Sequence, residues 1–251
     1  MLTELQRIIL EAGKIALSYY RHLDRLQIQE KSPKDFVTAA DRAVEEFLKD
    51  KLQQLAPDIG FFGEETGRSG SRSRRWVVDP IDGTHSFLRG QYFWSISLAL
   101  EEEGDITYGL VYAPALGDLY AAQKGQGATR GGEAIQVTQI HRLEESMIST
   151  GFACLRAGKS ENNLPRFNRI ALATAGQRRF GSAALDLCLV ADGQVDAFFE
   201  QDLNLYDVAA GALILEEAGG MVMDFQGKRC LNPKELLAIN GPLREAILAL
   251  I

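Results

Sequence analysis

The sequence is organised around nine residues, Trp76-Val77-Val78-Asp79-Pro80-Ile81-Asp82-Gly83-Thr84. An apolar run predicts a buried strand that ends on the carboxylate of Asp79, and Pro80 is expected to stop that strand. Asp82 follows three residues after Asp79, and Gly83-Thr84 is a pair suited to opening a helix. Carboxylates bind Mg²⁺ through oxygen, and the free N–H groups of a helix N-terminus bind phosphate. The stretch therefore indicates phosphate chemistry that depends on metal ions.

The bulk composition is that of an ordinary globular protein. The chain has 251 residues, of which 46% are hydrophobic and 24% are charged. We expect a single domain over residues 1–251, with a soft sub-domain boundary near 138–145. The 27 Lys and Arg against 34 Asp and Glu give a net charge of −7. This balance argues against a nucleic-acid-coating protein, so no nucleic-acid partner is required.

Membrane and disulfide signals are weak in this sequence. No run approaches the roughly 18–20 apolar residues of a membrane span, and the first residues lack the pattern of a signal peptide. The three cysteines, Cys154, Cys188 and Cys230, are odd in number and far apart, without a CxxC pair. We therefore expect a cytoplasmic protein with no membrane partner, no disulfide framework and no thiolate metal site.

The predicted elements mix helices and strands. Residues 2–19 repeat apolar side chains at helical spacing over about five turns, residues 30–36 favour a loop, and Thr38 is expected to cap a second helix. Strands are predicted at 59–62, 76–79, 93–101, 106–113, 119–124, 146–150, 196–200, 221–225 and 237–240. Helices are predicted at 166–175, 182–191, 207–218 and the C-terminus. Strand clusters interrupted by helices indicate layered α/β (α+β) packing.

Four acidic residues stand at strand ends or helix starts, where open α/β sheets place ligand sites: Glu64, Asp79, Asp82 and Asp207. Each has an ordinary alternative, because Asp207 could be a plain helix N-cap and Glu64 part of a solvated loop. The pair of Asp79 and Asp82 is harder to explain as a turn, since a turn needs neither both acids nor the following threonine.

Three motifs together resemble the signatures of the inositol monophosphatase family: Gly63-Glu64-Glu65, Asp79 to Thr84, and Asp207-Val208-Ala209-Ala210-Gly211. They occur in the order and at the approximate spacings of that family. The resemblance extends to Lys31, to Val37-Thr38-Ala39-Ala40-Asp41 and to Gly181-Ser182-Ala183-Ala184. It implies the family's stacked α-β-α-β-α sandwich, Mg²⁺-dependent and Li⁺-sensitive phosphomonoesterase activity, and a homodimer.

The resemblance also implies the metal ligands. Glu64, Asp79 and the backbone carbonyl of Ile81 would bind a first Mg²⁺, and Asp79, Asp82 and Asp207 a second. Glu64 would help to hold a third, weaker ion, so the site would take two or three ions.

Residues for the substrate are implied in the same way. Asp41, Glu64 and Thr84 are the catalytic candidates, with Asp41 and Thr84 orienting and deprotonating the attacking water. Gly83 and Thr84 would offer backbone N–H groups to the phosphate. The full set expected at the substrate is Lys31, Glu64, Ile81, Asp82, Gly83, Thr84, Gly181, Ser182, Ala183, Glu200 and Asp207.

The chemistry of phosphate esters agrees with such a site. Hydrolysis of a monoester needs an in-line nucleophile, neutralised phosphoryl oxygens and a stabilised leaving alkoxide. Two metal ions about 3.5–4 Å apart supply all three. Asp79 is the natural bridge, because one carboxylate offers an oxygen to each ion, and no covalent phosphoenzyme is required.

Two positions depart from the family pattern. Tyr206 stands where a tryptophan usually precedes the third-motif aspartate, and we expect it still to pack beside the metal loop. His85 follows Thr84 where many relatives carry asparagine, and we favour a packing or hydrogen-bonding role for it on a short helix. With three histidines and no HExxH motif, a zinc hydrolase is not expected.

The substrate is less determined than the metal site. Relatives hydrolyse inositol monophosphates, fructose 1,6-bisphosphate, histidinol phosphate or 3′-phosphoadenosine 5′-phosphate. Glu200 suits the hydroxyls of a polyol, which favours inositol monophosphate. Arg178 and Arg179 would meet a second phosphate or form a charge pair at a strand edge. An alternative of another class is a regulatory binding protein with residual phosphatase activity, although none of the metal carboxylates has been lost.

Overall fold

The computed structural model describes residues 1–22, 28–32 and 35–251. Its α-helices are α1 (Leu2–Tyr19), α2 (Ala39–Leu55), α3 (Thr84–Leu88), α4 (Ala153–Arg156), α5 (Leu164–Ala173), α6 (Ala183–Ala191), α7 (Leu205–Glu217) and α8 (Arg244–Leu248). Its strands are β1 (Gln29–Ser32), β2 (Asp35–Val37), β3 (Gly60–Gly63), β4 (Gly67–Ser69), β5 (Arg74–Asp82), β6 (Ser95–Glu102), β7 (Asp105–Ala113), β8 (Asp118–Gln123), β9 (Ala128–Arg130), β10 (Glu133–Ala134), β11 (Met147–Thr150), β12 (Gly176–Arg178), β13 (Ala197–Gln201), β14 (Met221–Met223) and β15 (Glu235–Ile239).

The larger sheet has eight strands in the order β10-β9-β8-β7-β6-β5-β3-β4. Strand β5 pairs with β3 in parallel and with β6 antiparallel. Along β5 the side chains alternate between two cores, because Trp76 and Val78 pack on one face and Val77 on the other. The strand is therefore buried on both faces, which explains its continuous apolar run.

The smaller sheet has five strands in the order β12-β11-β13-β15-β14. Its central strand β13 also alternates, since Phe198 packs towards the larger sheet while Ala197 and Phe199 pack away from it. β13 runs parallel to β11 and antiparallel to β15.

Helices cover both faces of each sheet, so that the helices and the two sheets together form five layers. Helices α1 and α2 pack on the outer face of the larger sheet, and α6 and α7 fill the space between the two sheets. Helices α5 and α8 contribute Ile170 and Ile247 to the core on the far side of the smaller sheet. Both middle helices are apolar over most of their surface because each is buried on several sides. The predicted stacked α-β-α-β-α fold is confirmed.

The structure corrects the expected end of β5. The strand does not stop at Pro80 but continues to Asp82, with an irregular register against β6 between Asp79 and Asp82. Proline has no N–H to give to a β ladder, so a bulge is one of the few strand positions it accepts. The bulge brings both aspartates to the same end of the strand.

Other differences concern short elements. The segment expected as a loop at 30–36 includes an antiparallel pairing of β1 with β2, although residues 33–34 lie outside the described part. Five further short elements were not predicted, namely α4, β4, β9, β10 and β12. Helix α7 begins at Leu205, two residues before the expected start at Asp207.

The segment 138–145, where a soft boundary was predicted, lies between the last strand of the larger sheet and the first strand of the smaller one. None of the described helices combines the length and apolar character that a membrane crossing requires.

Candidate active site

Three of the four predicted metal carboxylates meet in space. Asp79 and Asp82 come from the irregular end of β5, and Asp207 comes from the first turn of α7, which packs against that strand. One carboxylate oxygen from each of the three lies within 4.8 Å of the others. Oxygen-only ligand sets of this kind suit a hard cation such as Mg²⁺.

Asp79 and Asp82 are each oriented by hydrogen bonds. The Ile81 N–H donates to Asp79 Oδ1 at 3.0 Å. Asp82 Oδ2 accepts from the Ser182 hydroxyl and from the Ala184 N–H, both at 2.7 Å. The start of α6 supplies both donors to Asp82, whereas an N–H of β5 itself orients Asp79, so different elements hold the two carboxylates.

Asp207 is not the N-cap that the sequence allowed. Asn204 is the N-cap of α7, and Asp207, three residues later, accepts the Asn204 N–H at 2.6 Å through Oδ2. This is half of a capping box, which anchors the aspartate to the start of its own helix.

Burial and mutual repulsion raise the pKa values of all three carboxylates. For Asp79 the largest cause is burial, followed by the charges of Glu64, Asp82 and Asp207. Burial also raises the pKa of Asp82 to about 6, against the opposing hydrogen bonds, and raises that of Asp207. Buried anions that repel one another are stabilised by a cation, so the donor set fits divalent metal ions.

The cluster opens into a cavity of about 210 Å³. Glu64 lines this cavity but is not one of the three carboxylates that meet within 4.8 Å. It directly follows β3, and its N–H donates to the Val78 carbonyl at 3.2 Å. The cavity is lined by Glu64, Asp79, Ile81, Asp82, Gly83, Thr84, His85, Ala153, Arg156, Ala157, Arg179, Gly181, Asp202, Asn204, Tyr206 and Asp207.

The turn after β5 requires glycine at position 83. Gly83 has φ of 90°, and a Cβ there would lie 3.0 Å from the Gly181 carbonyl and 3.1 Å from that of Phe93. Helix α3 begins directly afterwards, as the Gly-Thr pair predicted. The Thr84 hydroxyl donates to the Ile81 carbonyl at 3.2 Å.

Asp41 lies in the first turn of α2 and is buried. Its Oδ2 accepts from the Thr38 N–H at 2.9 Å and from the Thr38 hydroxyl at 2.5 Å. The Thr38 Oγ1 in turn accepts the Ala40 N–H at 3.1 Å, so Thr38 caps α2 as predicted. Burial, opposed by these hydrogen bonds and helped by the charge of Glu64, raises the pKa of Asp41 to about 7. Asp41 is not among the described residues that line the cavity.

A smaller cavity of about 50 Å³ adjoins the first and shares Asp82 and Asp207 with it. Glu200 from β13 lines this cavity, is buried, and accepts the Ala153 N–H at 2.8 Å. Burial raises the pKa of Glu200 to about 7. A Cβ on Gly151 would lie 1.9 Å from Glu200 Oε2, so only glycine fits beside this carboxylate.

The remaining expected substrate residues are placed unevenly. Gly181 lines both cavities and Ala183 the smaller one. Ser182 is among the described lining residues of neither, because its buried hydroxyl donates to Asp82 instead. Lys31 lies on β1 rather than in a loop, and its side chain lies outside the described part of the structure.

Two arginines lie at the site, and the sequence analysis had suggested only one of these two. Arg179 lines both cavities, as does Arg156, which sequence reasoning missed because the short helix α4 carries no motif. Arg178 is exposed and donates to the Gln177 carbonyl. Asp186, buried on α6, lines the smaller cavity and was missed as well, since it lies within an apolar run that predicts only a core helix.

The two departures from the family pattern also lie at the larger cavity. Tyr206 packs edge-on against Phe62 with ring centroids 5.7 Å apart, beside the Gly63-Glu64 turn, as expected of a residue next to the metal loop. His85 lies on α3 and lines the cavity wall.

Comparison with known proteins identifies this arrangement. The family model described as the inositol monophosphatase family matches residues 1–251. The chain belongs to the inositol monophosphatase family. Members of this family are metal-dependent phosphoric monoester hydrolases, so this family member is a phosphatase, and its acidic cluster could hold a metal ion.

Individual relatives span nearly the whole chain. A Mesorhizobium japonicum protein called inositol-1-monophosphatase is 36% identical over 251 residues, which cover 99% of this chain and 94% of that one. A Xylella fastidiosa protein called Nus factor SuhB is 37% identical over 216 residues, covering 86% of this chain and 78% of that one. The crystal structure of extragenic suppressor protein suhB from Bartonella henselae matches with a TM-score of 0.93 and 34% identity, covering 99% of this chain and 96% of that one.

Proposed function

We propose that this phosphatase hydrolyses the phosphate monoester of a small polyol or sugar and prefers inositol monophosphate. We propose that its activity depends on Mg²⁺. The observation that carries the proposal is the meeting of Asp79, Asp82 and Asp207 within 4.8 Å at the end of an open cavity. A partly buried, oxygen-only cluster beside a cavity that accommodates a small ester suits metal-assisted phosphate hydrolysis.

We propose the metal ligands that the motifs imply. Glu64, Asp79 and the Ile81 carbonyl would hold one ion, and Asp79, Asp82 and Asp207 another, with a third, weaker ion near Glu64. When bound, Mg²⁺ supplies positive charge to phosphoryl oxygens and acidity to a coordinated water. The structure supports this assignment because all five residues line one cavity.

The residues around the ions would hold the phosphate and the attacking water. Gly83 and Thr84 line the cavity, and their N–H groups would donate to phosphoryl oxygens. Asp41 would accept a proton during attack, with Thr84 orienting the water. The pKa of about 7 for Asp41 supports this role, because a general base works best when its pKa lies near the operating pH.

The smaller cavity would hold the alcohol. Glu200 faces it together with Gly181 and Ala183, next to the metal carboxylates. A buried carboxylate with one oxygen held by the Ala153 N–H keeps acceptor capacity for substrate hydroxyls. Hydroxyl recognition favours a polyol over a simple alkyl ester.

A second candidate substrate class is a bisphosphate such as fructose 1,6-bisphosphate. Arg156 and Arg179 line both cavities, and within the described part of the chain neither guanidinium group has a hydrogen-bond or ion-pair partner. Guanidinium groups in such a position suit a second phosphate. Replacement of Arg156 by alanine should then raise the KM for a bisphosphate and leave that for inositol 1-phosphate nearly unchanged.

A regulatory binding role is the alternative of another class. It is favoured by relatives called Nus factor SuhB, which are about as similar to this chain as those called inositol-1-monophosphatase. A chain that acts only by binding should release no phosphate from any ester. The homodimer, the single domain over 1–251 and the cytoplasmic location stay predictions, and light scattering of the purified protein would test the first.

Phosphate release with and without Mg²⁺ tests the main proposal. The panel would contain inositol 1-phosphate, fructose 1,6-bisphosphate, histidinol phosphate and 3′-phosphoadenosine 5′-phosphate. We expect Mg²⁺-dependent release with the highest kcat/KM for inositol 1-phosphate. Preference for another ester would correct the substrate, and metal-independent release would contradict the assignment of the carboxylate cluster.

A further inference from the structure

We propose that Glu45 is a positioning residue, which fixes Glu64 for metal binding by holding the turn that follows it. Glu45 belongs to α2 and lies outside all three signature motifs. This inference rests on the proposed Mg²⁺ site, and it adds to that site a residue that does not touch the ions or the substrate.

The Glu45 carboxylate binds two successive backbone amides. Its Oε2 accepts the Glu65 N–H at 2.8 Å, and its Oε1 accepts the Thr66 N–H at 2.7 Å. The side chain is fully buried, so the two bonds are not exchanged for bonds to water. Burying a carboxylate is costly unless hydrogen bonds replace its hydration, and two charge-assisted bonds to backbone donors do so here.

Gly63 leaves room for this carboxylate. A Cβ at position 63 would lie 2.5 Å from Glu45 Cδ and 2.6 Å from each of its oxygens. Any other residue would displace the Glu45 side chain from beneath the turn. The glycine of the first motif is therefore explained by a contact with α2, in addition to its place at the end of β3.

The backbone of Glu64 is consequently fixed on both sides. Its own N–H donates to the Val78 carbonyl of β5 at 3.2 Å, and the next two N–H groups donate to Glu45. Val78 directly precedes Asp79, so these bonds set the position of Glu64 relative to the Asp79 carboxylate. Groups that orient metal ligands raise affinity because less order has to be created on binding.

Helix α2 carries a second group of the proposed site. Asp41 lies four residues before Glu45, so both side chains stand on the same face of the helix. Asp41 is close enough to Glu64 for the charge of Glu64 to raise its pKa. One rigid helix thus sets the spacing between the proposed proton acceptor and the Glu64 turn.

The chain contains a second clamp with the same bonding pattern, in a more exposed position, which serves as a control. Glu217 on α7 accepts the Gly125 N–H through Oε1 at 2.7 Å and the Gly127 N–H through Oε2 at 2.8 Å. It holds the turn between β8 and β9 in the same two-amide manner. None of these three residues is among the described residues that line the site cavities.

The test compares Glu45→Gln with Glu217→Gln. Glutamine is isosteric but keeps one acceptor, and its NH₂ group faces the second amide donor. Calorimetric titration of the metal-free proteins with Mg²⁺ should give an affinity about tenfold lower for E45Q and within about twofold of wild type for E217Q. The kcat of E45Q at saturating Mg²⁺ should return close to the wild-type value, since Glu45 does not contact the reacting atoms.

Equal Mg²⁺ affinities for E45Q and wild type would overturn the inference while leaving the proposed metal site intact. Equal losses in both variants would overturn it too, because the effect would then be a general loss of stability. Absence of Mg²⁺ binding by the wild type would contradict the metal site itself, and this inference with it.

A measurement on the wild type does not depend on the variants folding. The amides of Glu65 and Thr66 should exchange with solvent deuterium much more slowly than unprotected amides in the metal-free protein. Exchange at the unprotected rate would show that the clamp is not formed before the metal binds, and would overturn the proposal.

Discussion

The two sheets contribute to the cavity in different ways. The larger sheet supplies Glu64, Asp79 and Asp82 from two adjacent parallel strands, so short stretches of sequence place several carboxylates together. The smaller sheet and its helices supply Glu200 and Arg156 from elements distant in sequence. The first side has a dense charge of one sign, whereas the second has charges of both signs around a small cavity. The difference predicts that mutations can separate the proposed metal-binding groups from the proposed alcohol-binding groups, although the two cavities share Asp82 and Asp207.

The largest expected effect is on the first side. Asp82→Asn should keep the fold, because an asparagine oxygen still accepts from Ser182 or Ala184, but should lower Mg²⁺-dependent turnover by about 10³-fold. The reason is the loss of one anionic ligand from a cluster that meets within 4.8 Å. Steady-state phosphate release over a range of Mg²⁺ concentrations would measure the loss.

Asp224→Asn is the matched control for that variant. Asp224 is also a buried aspartate that accepts two backbone N–H groups, from Gln226 and Lys228, but it is not among the described residues lining either cavity. Its replacement should leave kcat within about twofold of wild type. Wild-type turnover by D82N, or an equal loss of turnover in both variants, would contradict the proposal that the carboxylate cluster has a special role in turnover.

Residues of the smaller cavity should affect the choice of substrate and not the rate of the chemical step. At a pH above the Glu200 pKa of about 7, Glu200→Gln should raise the KM for inositol 1-phosphate by about tenfold, because a charged acceptor for substrate hydroxyls becomes a neutral one. The KM for p-nitrophenyl phosphate, which has no hydroxyl to bind, should stay unchanged. Parallel kinetics with the two esters would test this, and an equal rise for both would place Glu200 in phosphate or metal binding instead.

The same contrast explains what the sequence could predict. The metal side was predictable because Asp79 and Asp82 are three residues apart and the irregular end of β5 lies in that interval. Even there, the sequence misplaced the end of the strand at Pro80, because a proline bulge and a strand terminus look alike in a pattern. The inositol monophosphatase family and its layered fold followed from the three motifs and were confirmed.

The residues around the smaller cavity were less predictable from the sequence. Arg156 lies on a one-turn helix that has no periodicity to detect, and Asp186 is hidden in an apolar helix. Ser182 stands in a motif, but the direction of its hydroxyl towards Asp82 depends on how α6 packs beside β5. Side-chain direction and cavity shape are set by tertiary packing, which local sequence patterns do not encode.

Inhibition by Li⁺ should be a smaller effect, and it should depend on the carboxylate cluster and not on the smaller cavity. We expect millimolar Li⁺ to lower the rate severalfold at subsaturating Mg²⁺, because a small monovalent cation competes for the carboxylate cluster. The loss should be the same for inositol 1-phosphate and p-nitrophenyl phosphate, since both esters meet the same metal side. Unchanged rates in Li⁺ would contradict the sensitivity that the family resemblance implies, and inhibition with one ester only would place Li⁺ in the alcohol cavity.

The smallest expected effect is a pH dependence of stability that both sides share. Burial is the main cause that raises the pKa values of Asp41 and Glu200 to about 7, whereas unfolded carboxyls titrate near ~4. The folded protein therefore binds more protons than the unfolded chain between these values. This contribution to the free energy of unfolding is fully present below pH ~4 and is lost as the pH rises through about 7.

The metal-free protein should accordingly have a higher Tm near pH ~5.5 than near pH ~8. Added Mg²⁺ should raise the Tm more at the higher pH, because protons no longer compete for the carboxylates. Asp41→Asn should remove the part of the pH dependence of Tm that is due to Asp41 and leave the part due to Glu200. Glu200→Gln should remove the part due to Glu200 and leave the part due to Asp41. Calorimetric scans at the two pH values would measure both, and a metal-free Tm that rises with pH would show that these carboxyls are ionised in the folded protein despite their burial.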